Sequence, residues 1–426
     1  MQVANILFID QYATLGGGQR ILVDLATAFV KAGHRATVLF PGRGEDSGGE
    51  VTEILRGSGV ETGSYALTRL KSGRKSPIEG LRYLATAGRS ARSIKAACRG
   101  KGFDLLYVNG PRAILPGVLA GRRLGLPVVA AVHLIHEGAE RRLLAWCFGR
   151  PHVRLVSFCS RFAAAPFPKV GAKGRVQPNW VAPGFLHEPS HRERVRAELG
   201  LGAEDLAIGV LGRVSKTKGQ RLFLEAALPL LGQGERGKRK EERREEGQHP
   251  DPELQTQNSK LQTPGSSILN PQSSTLHLLM AGSADFEDPQ EEQALKALAA
   301  PYGDRVRFLG KIPATDFLDA LDISVVPSVR PEAFGLVAIE SMARRLPVVA
   351  TRLGGLQDTV VDGETGFLVG PDAGAMGRAL AKLIGDGELR ARMAEAGRRR
   401  AESDYSPEIL IPRAMEALLG SWGVEP

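Results

Sequence analysis

Two kinds of segment alternate along this chain. Short runs of Val, Ile, Leu and Ala are separated by longer segments in which apolar residues recur every three or four positions. The short runs predict buried strands and the longer segments predict amphipathic helices. Their alternation is typical of βαβ units and parallel sheets. In the first half the predicted strands are Ala4 to Ile9, Ala36 to Phe40, Leu105 to Val108, Val128 to Val132 and Leu155 to Cys159, with helices such as Arg20 to Lys31 and Ile78 to Cys98 between them.

The same alternation restarts in the second half, which predicts two successive doubly wound α/β domains. The strands predicted there are Ala207 to Leu211, Leu276 to Met280, Val306 to Leu309, Ile323 to Val326, Pro347 to Ala350 and Gly366 to Val369. Pro, Gly and His interrupt both periodicities near Pro183 to Pro189, so we expect domains at residues 1–185 and 186–400. Residues 401–426 are expected to form a C-terminal helix that packs back on the first domain. Ligands of doubly wound sheets bind beyond the carboxyl ends of the strands, which predicts a site in a central cleft between the domains.

One segment, residues 232–274, breaks this rhythm. It begins with a run of Lys, Arg and Glu and continues with Gln, Ser, Pro and Asn, and it has few large apolar residues. Such a composition buries too little surface to offset the entropy lost on ordering. We therefore expect a disordered insertion, and its nearly balanced charges argue against a nucleic-acid-binding tail.

Composition narrows the class of protein. The 426 residues contain 42% hydrophobic and 24% charged residues, and no apolar run approaches the roughly 20 residues that cross a bilayer. The strand pattern at Val3 to Ile9 lacks the features of a secretory signal, so we expect a cytoplasmic protein. The three cysteines are widely spaced, which favours reduced structural thiols. A net charge of +9 suits an anionic partner such as a phosphate-bearing nucleotide.

The segment Pro331 to Glu340 carries the most informative pattern, because it joins a predicted strand to a predicted helix. Glu332 precedes the helix and Glu340 lies two turns further on. The free amides of Phe334, Gly335 and Leu336 would point out of the helix N-terminus and suit a phosphate. The carboxylate of Glu340 suits the diol of a ribose. The alternative is a helix whose acidic residues only complement its dipole.

A basic turn, Gly212 to Gly219, follows the first predicted strand of the second domain. Arg213 and Lys218 would place a guanidinium and an ammonium at the carboxyl end of that strand. Two such cations suit a diphosphate, whose negative charge grows as a sugar bond breaks, and they would replace a metal as the electrophilic catalyst. The alternative is a solvated basic turn.

Two further features follow strands of the first domain. Gly16, Gly17 and Gly18 occupy the place of a Rossmann phosphate loop without its full glycine spacing, so they support a dinucleotide site only weakly. Their bare backbone would face a ligand across the cleft. His133 ends a strand, where it would bind a sugar hydroxyl or move a proton. The alternatives are a plain glycine turn and a structural histidine.

Taken together, these motifs resemble a known enzyme family. The sequences PEAFGLVAIE (331–340), GRVSKTKG (212–219), GGLQD (354–358) and DGETGFLV (362–369) are similar to the core of the large retaining glycosyltransferase family with the GT-B fold and the E-x7-E motif. The resemblance covers the whole chain apart from the insertion. It implies a GT-B fold, with an acceptor-binding first domain and a donor-binding second domain.

The resemblance also implies roles for individual residues. Those matching Glu332 and His133 lie at the reacting sugar, the one matching Glu340 binds the ribose, and those matching Arg213 and Lys218 hold the diphosphate. The reaction would retain the anomeric configuration, with no metal and no other cofactor. The sequence departs from the family at Arg344-Arg345, where a glycine is common, and losing that glycine costs about 1 kcal/mol if the backbone needs a positive φ.

Residues 69–101 carry ten basic side chains against one acidic side chain, Glu79. Ile78, Leu81, Leu84, Ala91, Ile94 and Cys98 approximate one helical face. This helix is predicted either to rest on an anionic membrane surface or to be an ordinary domain helix with a solvated basic face.

The function predicted from these features is transfer of a hexose from a UDP-, GDP- or ADP-sugar to a hydroxyl of a saccharide or lipid-linked acceptor. A nucleotide-sugar epimerase of the same fold and a non-catalytic protein that binds sugar nucleotides are the alternatives. A NAD-dependent oxidoreductase is disfavoured by the incomplete glycine pattern.

Overall fold

The computed structural model describes residues 2–42, 49–68, 77–187, 191–245, 275–284 and 288–422. These residues form two compact units. As far as it is described, the first comprises residues 1–180, 332–336 and 404–426, and the second comprises residues 181–331 and 337–403. The chain thus leaves the first unit after Trp180, a little before the predicted change at Pro183.

Both units contain one parallel sheet in the described part of the chain. The seven strands of the first are β1 (Asn5–Ile9), β2 (Arg35–Pro41), β3 (Glu61–Tyr65), β4 (Leu105–Asn109), β5 (Val128–Val132), β6 (Val153–Phe158) and β7 (Gly174–Val176). The six strands of the second are β8 (Leu206–Leu211), β9 (Leu276–Ala281), β10 (Val306–Phe308), β11 (Ile323–Val326), β12 (Val348–Thr351) and β13 (Gly366–Val369).

Helices connect the strands. Those of the first half are α1 (Gly17–Lys31), α2 (Glu50–Gly57), α3 (Pro77–Ala97), α4 (Pro111–Leu124), α5 (Gly138–Phe148) and α6 (Arg161–Ala164). Those that follow are α7 (Arg192–Glu198), α8 (Gln220–Glu245), α9 (Pro289–Ala299), α10 (Ala314–Ala320), α11 (Leu336–Ala343), α12 (Leu356–Thr359), α13 (Ala373–Gly385), α14 (Gly387–Asp404) and α15 (Pro407–Trp422). Short 3₁₀ turns occupy Pro168–Lys173, Pro183–Phe185 and Ala300–Arg305. The prediction of two doubly wound α/β units is confirmed.

Strand order places a switch point in each sheet. The first sheet has the order β3-β2-β1-β4-β5-β6-β7, so the chain reverses its direction of travel across the sheet between β1 and β4. The second has the order β10-β9-β8-β11-β12-β13 and reverses between β8 and β11. The registers Ile6↔Leu105 and Ile323↔Ile208 fix the two central pairs. Loops that leave neighbouring strands in opposite directions open a crevice there, which is where such folds bind ligands.

Burial explains why some strands are evident in the sequence and others are not. Every residue of β1, β4 and β5 is buried, because central parallel strands are covered on both faces and therefore read as continuous apolar runs. The edge strands β3 and β7 have the sequences ETGSY and GRV and are mostly exposed. These two edge strands were not predicted.

The long helix α8 alters the expected extent of the insertion. The change to charged residues at Gly232 predicted disorder from that point, whereas α8 continues to Glu245. Lys, Arg and Glu are strong helix formers, so the charged run extends the helix instead of ending it. The rest of the predicted insertion, residues 246–274, lies outside the described residues.

The C-terminal helix α15 belongs to the first unit, where it packs against α1 and β6. The side chain amide of Gln177 donates to the carbonyl of Leu410 on this helix at 3.3 Å. Trp180 is only 2% exposed, and its indole N–H donates to Asp24 of α1 at 2.9 Å. The buried tryptophan explains why the first unit reaches as far as residue 180.

Helix α3 does not present the single apolar face that its sequence predicts. Ala91, Ile94 and Cys98 are buried in the first unit, together with Tyr83 and Ala87. Three residues of the expected face, Ile78, Leu81 and Leu84, are instead 77%, 67% and 48% exposed. At 100° per residue Ile78 and Leu81 lie well away from the buried stripe, and Leu84 lies at its edge, about 20° from Ala91. Residues 69–76 of the basic stretch lie outside the described residues.

Candidate functional site

The turn between β8 and α8 is held by its own backbone. Gly212 N donates to Ala281 O and Val214 N donates to Ser283 O, both at 3.0 Å, which joins the turn to the loop after β9. On its other side, Val329 N donates to Thr217 O at 3.0 Å. The turn is therefore fixed between the loops that follow β9 and β11, at the switch point of the second sheet.

Two glycines allow these loops to approach one another. Gly219 has φ 76°, and a β-carbon there would lie 1.9 Å from the carbonyl oxygen of Pro327. Gly282 has φ 123°, and a β-carbon there would lie 2.0 Å from the carbonyl oxygen of Gly212. No side chain fits either position, so the glycines are required by the close packing of backbone on backbone.

Arg213 and Lys218 both project from this turn. Arg213 is exposed and Lys218 is half-buried. The carbonyl of Arg213 accepts from the side chain amide of Gln220 at 2.9 Å, and Lys218 N donates to Ser215 O at 3.0 Å. The structure thus places both cations beyond the carboxyl end of β8, beside the segment that leaves β11.

Helix α11 follows β11 and carries Glu340. The strand ends at Val326 and the helix begins at Leu336. Glu340 lies in the second turn and is 6% exposed. Acidic side chains are seldom buried unless they have a partner, and the side chain of Glu340 is not part of the solvent-exposed surface of the helix. The alternative of a solvated acidic side chain is therefore disfavoured for Glu340.

The segment from Glu332 to Leu336 belongs to the first unit. The hydroxyl of Ser160 donates to the carbonyl of Ala333. Phe334 is buried with its ring edge-on to that of Tyr405, the centroids being 5.9 Å apart. Gly335 has φ 97°, which frees the backbone to turn into α11. Glu332 itself is half-buried.

The glycines near the N-terminus form the start of α1. Gly16 caps the helix in an extended conformation, and Gly17 and Gly18 lie in its first turn. A β-carbon on Gly17 would come within 2.7 Å of the Leu336 side chain. The predicted helix began at Arg20, whereas the structure extends it over the glycines. Their amides thereby become free helix N-terminal donors.

His133 follows β5 directly and lies against Gly18, whose β-carbon would be 3.6 Å from the β-carbon of the histidine. Both ring nitrogens are shielded from solvent. Burial lowers the pKa of His133 to about 4, and the neighbouring side chain of Asn179 offsets part of this change. The imidazole is therefore neutral at pH 7 and able to exchange hydrogen bonds with a hydroxyl.

A polar group at the switch point of the first sheet was missed by the sequence analysis. Asp10 follows β1 and is fully buried. Its carboxylate accepts from Asn109 Nδ2 at 2.5 Å, from Tyr12 N at 2.9 Å and from Gln19 Nε2 at 3.0 Å. Burial raises the pKa of Asp10 to about 6, and these donors offset only part of the rise. Polar residues at the ends of two predicted strands, Asp10 and Asn109, were the signal available in the sequence.

The predicted site residues thus fall into two groups of contacts. In the first unit Gly17 meets Leu336 and Gly18 meets His133. In the second unit the turn of Arg213 and Lys218 is bonded to the segment after β11. Within the described residues, no three His, Cys, Asp or Glu side chains are arranged to hold a metal ion. The three cysteines are buried, and none of them forms a disulfide bond.

Comparisons with known proteins agree with this architecture. The profile of the family described as Glycosyltransferase Family 4 matches residues 15–185, and that of Glycosyl transferases group 1 matches residues 266–400. D-inositol 3-phosphate glycosyltransferase of Streptomyces avermitilis is 30% identical over 324 residues, which are 70% of this chain and 62% of that protein. The enzyme of the same name from Corynebacterium urealyticum is 32% identical over 230 residues, 53% of this chain and 45% of that protein. The chain therefore spans less than two thirds of the length of these curated relatives.

Solved structures match over nearly the whole chain. Anabaena HepE, crystallised with UDP and glucose, has a TM-score of 0.72 at 21% identity, over 98% of this chain and 100% of that one. Sucrose-phosphate synthase from Thermosynechococcus elongatus has a TM-score of 0.71 at 21% identity, over 97% and 98% of the two chains. Two doubly wound parallel-sheet units that follow these structures throughout define the GT-B fold. Within that class, residues 15–185 match the Glycosyltransferase Family 4 domain and residues 266–400 match the Glycosyl transferases group 1 domain, in agreement with the resemblance of the sequence motifs.

Proposed function

We propose that the protein transfers a hexose from a nucleoside diphosphate sugar to a hydroxyl of a saccharide or lipid-linked acceptor, with retention of anomeric configuration. The names of the relatives support glycosyl transfer, and structures of HepE with UDP and with UDP-glucose support a nucleotide-sugar donor. In this proposal the predicted second domain, residues 186–400, holds the donor, and the predicted first domain, residues 1–185, holds the acceptor.

The observation that carries the proposal is the position of the turn bearing Arg213 and Lys218. It lies at the switch point of the second sheet, between the loops after β9 and β11, and its backbone is fixed by hydrogen bonds. Cations held in advance at such a point stabilise charge that develops on a departing diphosphate without further reorganisation. The turn therefore supplies what cleavage of a sugar–phosphate bond requires.

The remaining predicted residues complete the proposed site. The amides of Phe334, Gly335 and Leu336, at the start of α11, would bind a phosphate of the donor. Glu332 would orient the sugar, and Glu340 would accept hydrogen bonds from the ribose. Gly17 and Gly18 would present their backbone to the donor, and neutral His133 would bind a hydroxyl of the reacting sugar. We propose that no metal or other cofactor is needed, because the two cations provide the positive charge.

The test begins with thermal unfolding of the full chain in the presence of UDP-, GDP- and ADP-sugars. A ligand that binds only the folded protein raises the midpoint of unfolding, so the panel identifies the base and the sugar. Transfer to candidate acceptors is then measured with the donor that binds. Lys218→Ala is expected to lower kcat by about 10²- to 10³-fold, the usual effect of removing a fixed charge-stabilising group.

Lys216→Ala provides the matched control, since it removes the same charge from the same turn. The Lys216 side chain is 71% exposed and its ammonium is 3.9 Å from Asp288. We expect its turnover to stay near the wild-type rate. Equal loss in the two variants would assign the effect to net charge, and no loss in either would reject the site. A new nucleotide sugar formed without acceptor would indicate an epimerase, and binding without turnover would indicate a binding protein.

We also propose that α3 attaches the protein to the anionic face of a membrane. Ile78, Leu81 and Leu84 are exposed together, and Arg92 and Lys95 continue the same side of the helix toward its C-terminal end. Exposed apolar side chains beside a row of cations are typical of helices that lie in a lipid interface. No helix in the described ranges combines the length and apolar character needed to cross a bilayer.

Sedimentation with vesicles tests this attachment. The wild-type protein is expected to pellet with vesicles that contain phosphatidylglycerol and to remain in solution with phosphatidylcholine alone. Leu81→Ser should weaken pelleting, whereas Ile54→Ser, a change at a 39% exposed residue of α2 in the same unit, should not. Equal behaviour with both kinds of vesicle would reject the proposal.

A further inference from the structure

We infer that Asp10 is a positioning residue, which holds the glycine turn at the start of α1 in place only while its carboxyl group is ionised. This inference rests on the proposed function, because Gly17 and Gly18 are assigned there to the donor. Asp10 itself touches neither the proposed donor residues nor His133 in the described contacts, and it acts through two amide side chains.

The first link runs through Asn109 at the end of β4. Its Nδ2 donates both to Asp10 Oδ2 and, at 3.2 Å, to the carbonyl oxygen of Gly18. One amide group therefore bridges the carboxylate and the backbone of the turn. His133 lies against the same Gly18, so the bridge also fixes the surface on which the histidine rests.

The second link runs through Gln19, the next residue of α1. Its Nε2 donates to Asp10 Oδ1 at 3.0 Å and to Oδ2 at 3.3 Å. Its Oε1 lies over Gly16, where a β-carbon would be 2.8 Å away. The side chain thus covers the N-cap of α1 and ties the first helical turn to the end of β1.

Hydrogen bonds hold the backbone around Asp10 in place. Asp10 N donates to Leu39 O at 3.1 Å, and the Tyr65 hydroxyl donates to the Asp10 carbonyl at 2.9 Å. On the other side of the switch point, Gln11 Oε1 accepts from Arg112 N at 2.8 Å. The carboxylate therefore sits in a fixed frame, and the glycine turn is the part that depends on its side chain.

Protonation of Asp10 would place a donor where the carboxylate now accepts a hydrogen bond from Asn109. A carboxylate offers only acceptors, which suits donors from Asn109, Gln19 and Tyr12. A proton on Oδ2 would face the Nδ2 donor of Asn109, and the bridge to Gly18 would be lost. The donors to the carboxylate are neutral groups, and burial favours the protonated form, so protonation of Asp10 falls near pH 6.

Several titratable or charged groups surround Asp10 and its amide partners. They are Tyr65 on β3, Tyr107 on β4, Tyr12 after β1, Arg112 at the start of α4 and His133 after β5. Burial raises the pKa of Tyr65 and Tyr107 and lowers the pKa of His133 to about 4, so none of these three groups changes charge near pH 6. A transition near pH 6 therefore reports Asp10.

The experiment compares wild type with Asp10→Asn, Gln19→Met and Asp104→Asn in the full chain. Deuterium uptake by peptides covering residues 14–22 is measured at pH 7.5, and kcat and KM are measured from pH 5 to 8. Asp104 serves as the control, because it accepts from Asn5 N at 2.7 Å at the opposite end of β1. Gln19→Met removes one donor while keeping the shape, so it reports on the link even if Asp10→Asn folds poorly.

We expect Asp10→Asn and Gln19→Met to increase uptake in the glycine turn and to lower kcat on the order of 10- to 100-fold, with a much smaller change in KM. The wild-type kcat should fall as the pH drops through about 6, and this acid limb should be missing in Asp10→Asn. Unchanged uptake and an unchanged acid limb in Asp10→Asn would overturn the inference. If wild type transfers sugar from none of the donors, the proposed function fails, and the uptake still decides whether Asp10 holds the turn.

Discussion

The α-carbon of Gly219 lies against the carbonyl oxygen of Pro327, so closely that a β-carbon would be 1.9 Å from that oxygen. Backbone contact of this kind joins the basic turn to the segment after β11. A hydrogen bond from Val329 N to Thr217 O at 3.0 Å joins the same two segments. The position of Lys218 therefore depends on a residue that has no side chain.

Gly219→Ala is expected to lower the free energy of unfolding by clearly more than Gly363→Ala. Both glycines have positive φ, 76° and 80°, but Gly363 has open space around its α-carbon. The control should lose only the conformational cost, about 1 to 2 kcal/mol. Urea unfolding measures both variants. Equal losses would show that contact with Pro327 is not tight in solution.

Arg345 follows α11 with φ 58°, the only non-glycine residue in the described ranges with positive φ. Leu346 N donates to Ser341 O, which is the pattern of a helix end that favours glycine at this position. We expect Arg345→Gly to be about 1 kcal/mol more stable than Arg345→Ala. Both variants lose the exposed ion pair with Glu395, so their difference isolates the backbone. Thermal unfolding that ranks alanine above glycine would contradict this account.

The buried pair of Arg344 and Asp319 ties α11 to α10. The guanidinium donates through Nε and Nη2 at 2.6 Å to both carboxylate oxygens, and through Nη1 to the carbonyl of His187 at 2.7 Å. The two side chains are 3% and 0% exposed. Arg344→Met would leave a buried carboxylate unpaired, at a cost of about 3 to 5 kcal/mol.

The double variant Arg344→Met, Asp319→Leu is the control for that prediction. It removes both charges, and we expect it to be more stable than Arg344→Met alone. Chemical unfolding of the four proteins in the cycle gives the coupling between the two residues. A double variant as unstable as the sum of the single variants would mean that the pair is not coupled.

Asp10 makes the stability of the protein depend on pH. Its pKa in the folded protein is about 6 against 3.8 for the free group, so folding is favoured by protonation and stability is lost as the pH rises from about 4 to 6. Asp10→Asn removes this titration, so the stability of the variant relative to wild type should rise by up to about 3 kcal/mol between pH 3.5 and pH 8. Urea unfolding at both pH values measures this change. A difference between variant and wild type that is the same at both pH values would contradict this account.

His133 has the opposite effect. Its pKa falls from 6.5 to about 4 on folding because the neutral ring is buried, so the stability it contributes is present above pH 6.5 and is lost as the pH falls through 4. We expect His133→Gln to reduce the drop in melting temperature between pH 7 and pH 4.5. His191→Gln, at a residue whose side chain is 54% exposed, serves as the control and should leave that drop unchanged.

Much of the fold was predictable because central strands are buried on both faces. Runs such as Val128 to Val132 have no other simple interpretation, and their alternation with helices implies a parallel sheet. The edge strand Glu61–Tyr65 was not predictable in this way, since its side chains are largely exposed and its apolar signal is weak. This strand is defined by its pairing with β2, a long-range contact that the local sequence pattern does not reveal.

The sequence predicts those parts of the candidate site whose residues lie close together in one loop. Arg213 and Lys218 share a turn that directly follows a strand, and the structure places them at its carboxyl end. Asp10 and Asn109 stand 99 residues apart, and they meet because β1 and β4 are neighbours in the sheet. Strand order is a property of the whole fold, so no local pattern connects these two residues.

The exposed apolar residues of α3 show that the sequence pattern also fails to identify which face of a helix is buried. Ile78, Leu81 and Leu84 have the spacing of a core-facing stripe, and the helix does bury a stripe, but that stripe runs through Tyr83 and Ala87. Two apolar stripes on one helix cannot be separated by periodicity alone. The packing of α3 against α4 selects which of the two is buried.

The basic turn takes its shape from main-chain hydrogen bonds and from two glycine contacts, and few of its side chains contribute to that shape. Ser215, Lys216 and Thr217 can therefore be exchanged for other residues while the loop keeps its path. A scaffold of this kind lets those three positions vary with little risk to folding, while the path of the backbone keeps Arg213 and Lys218 in place.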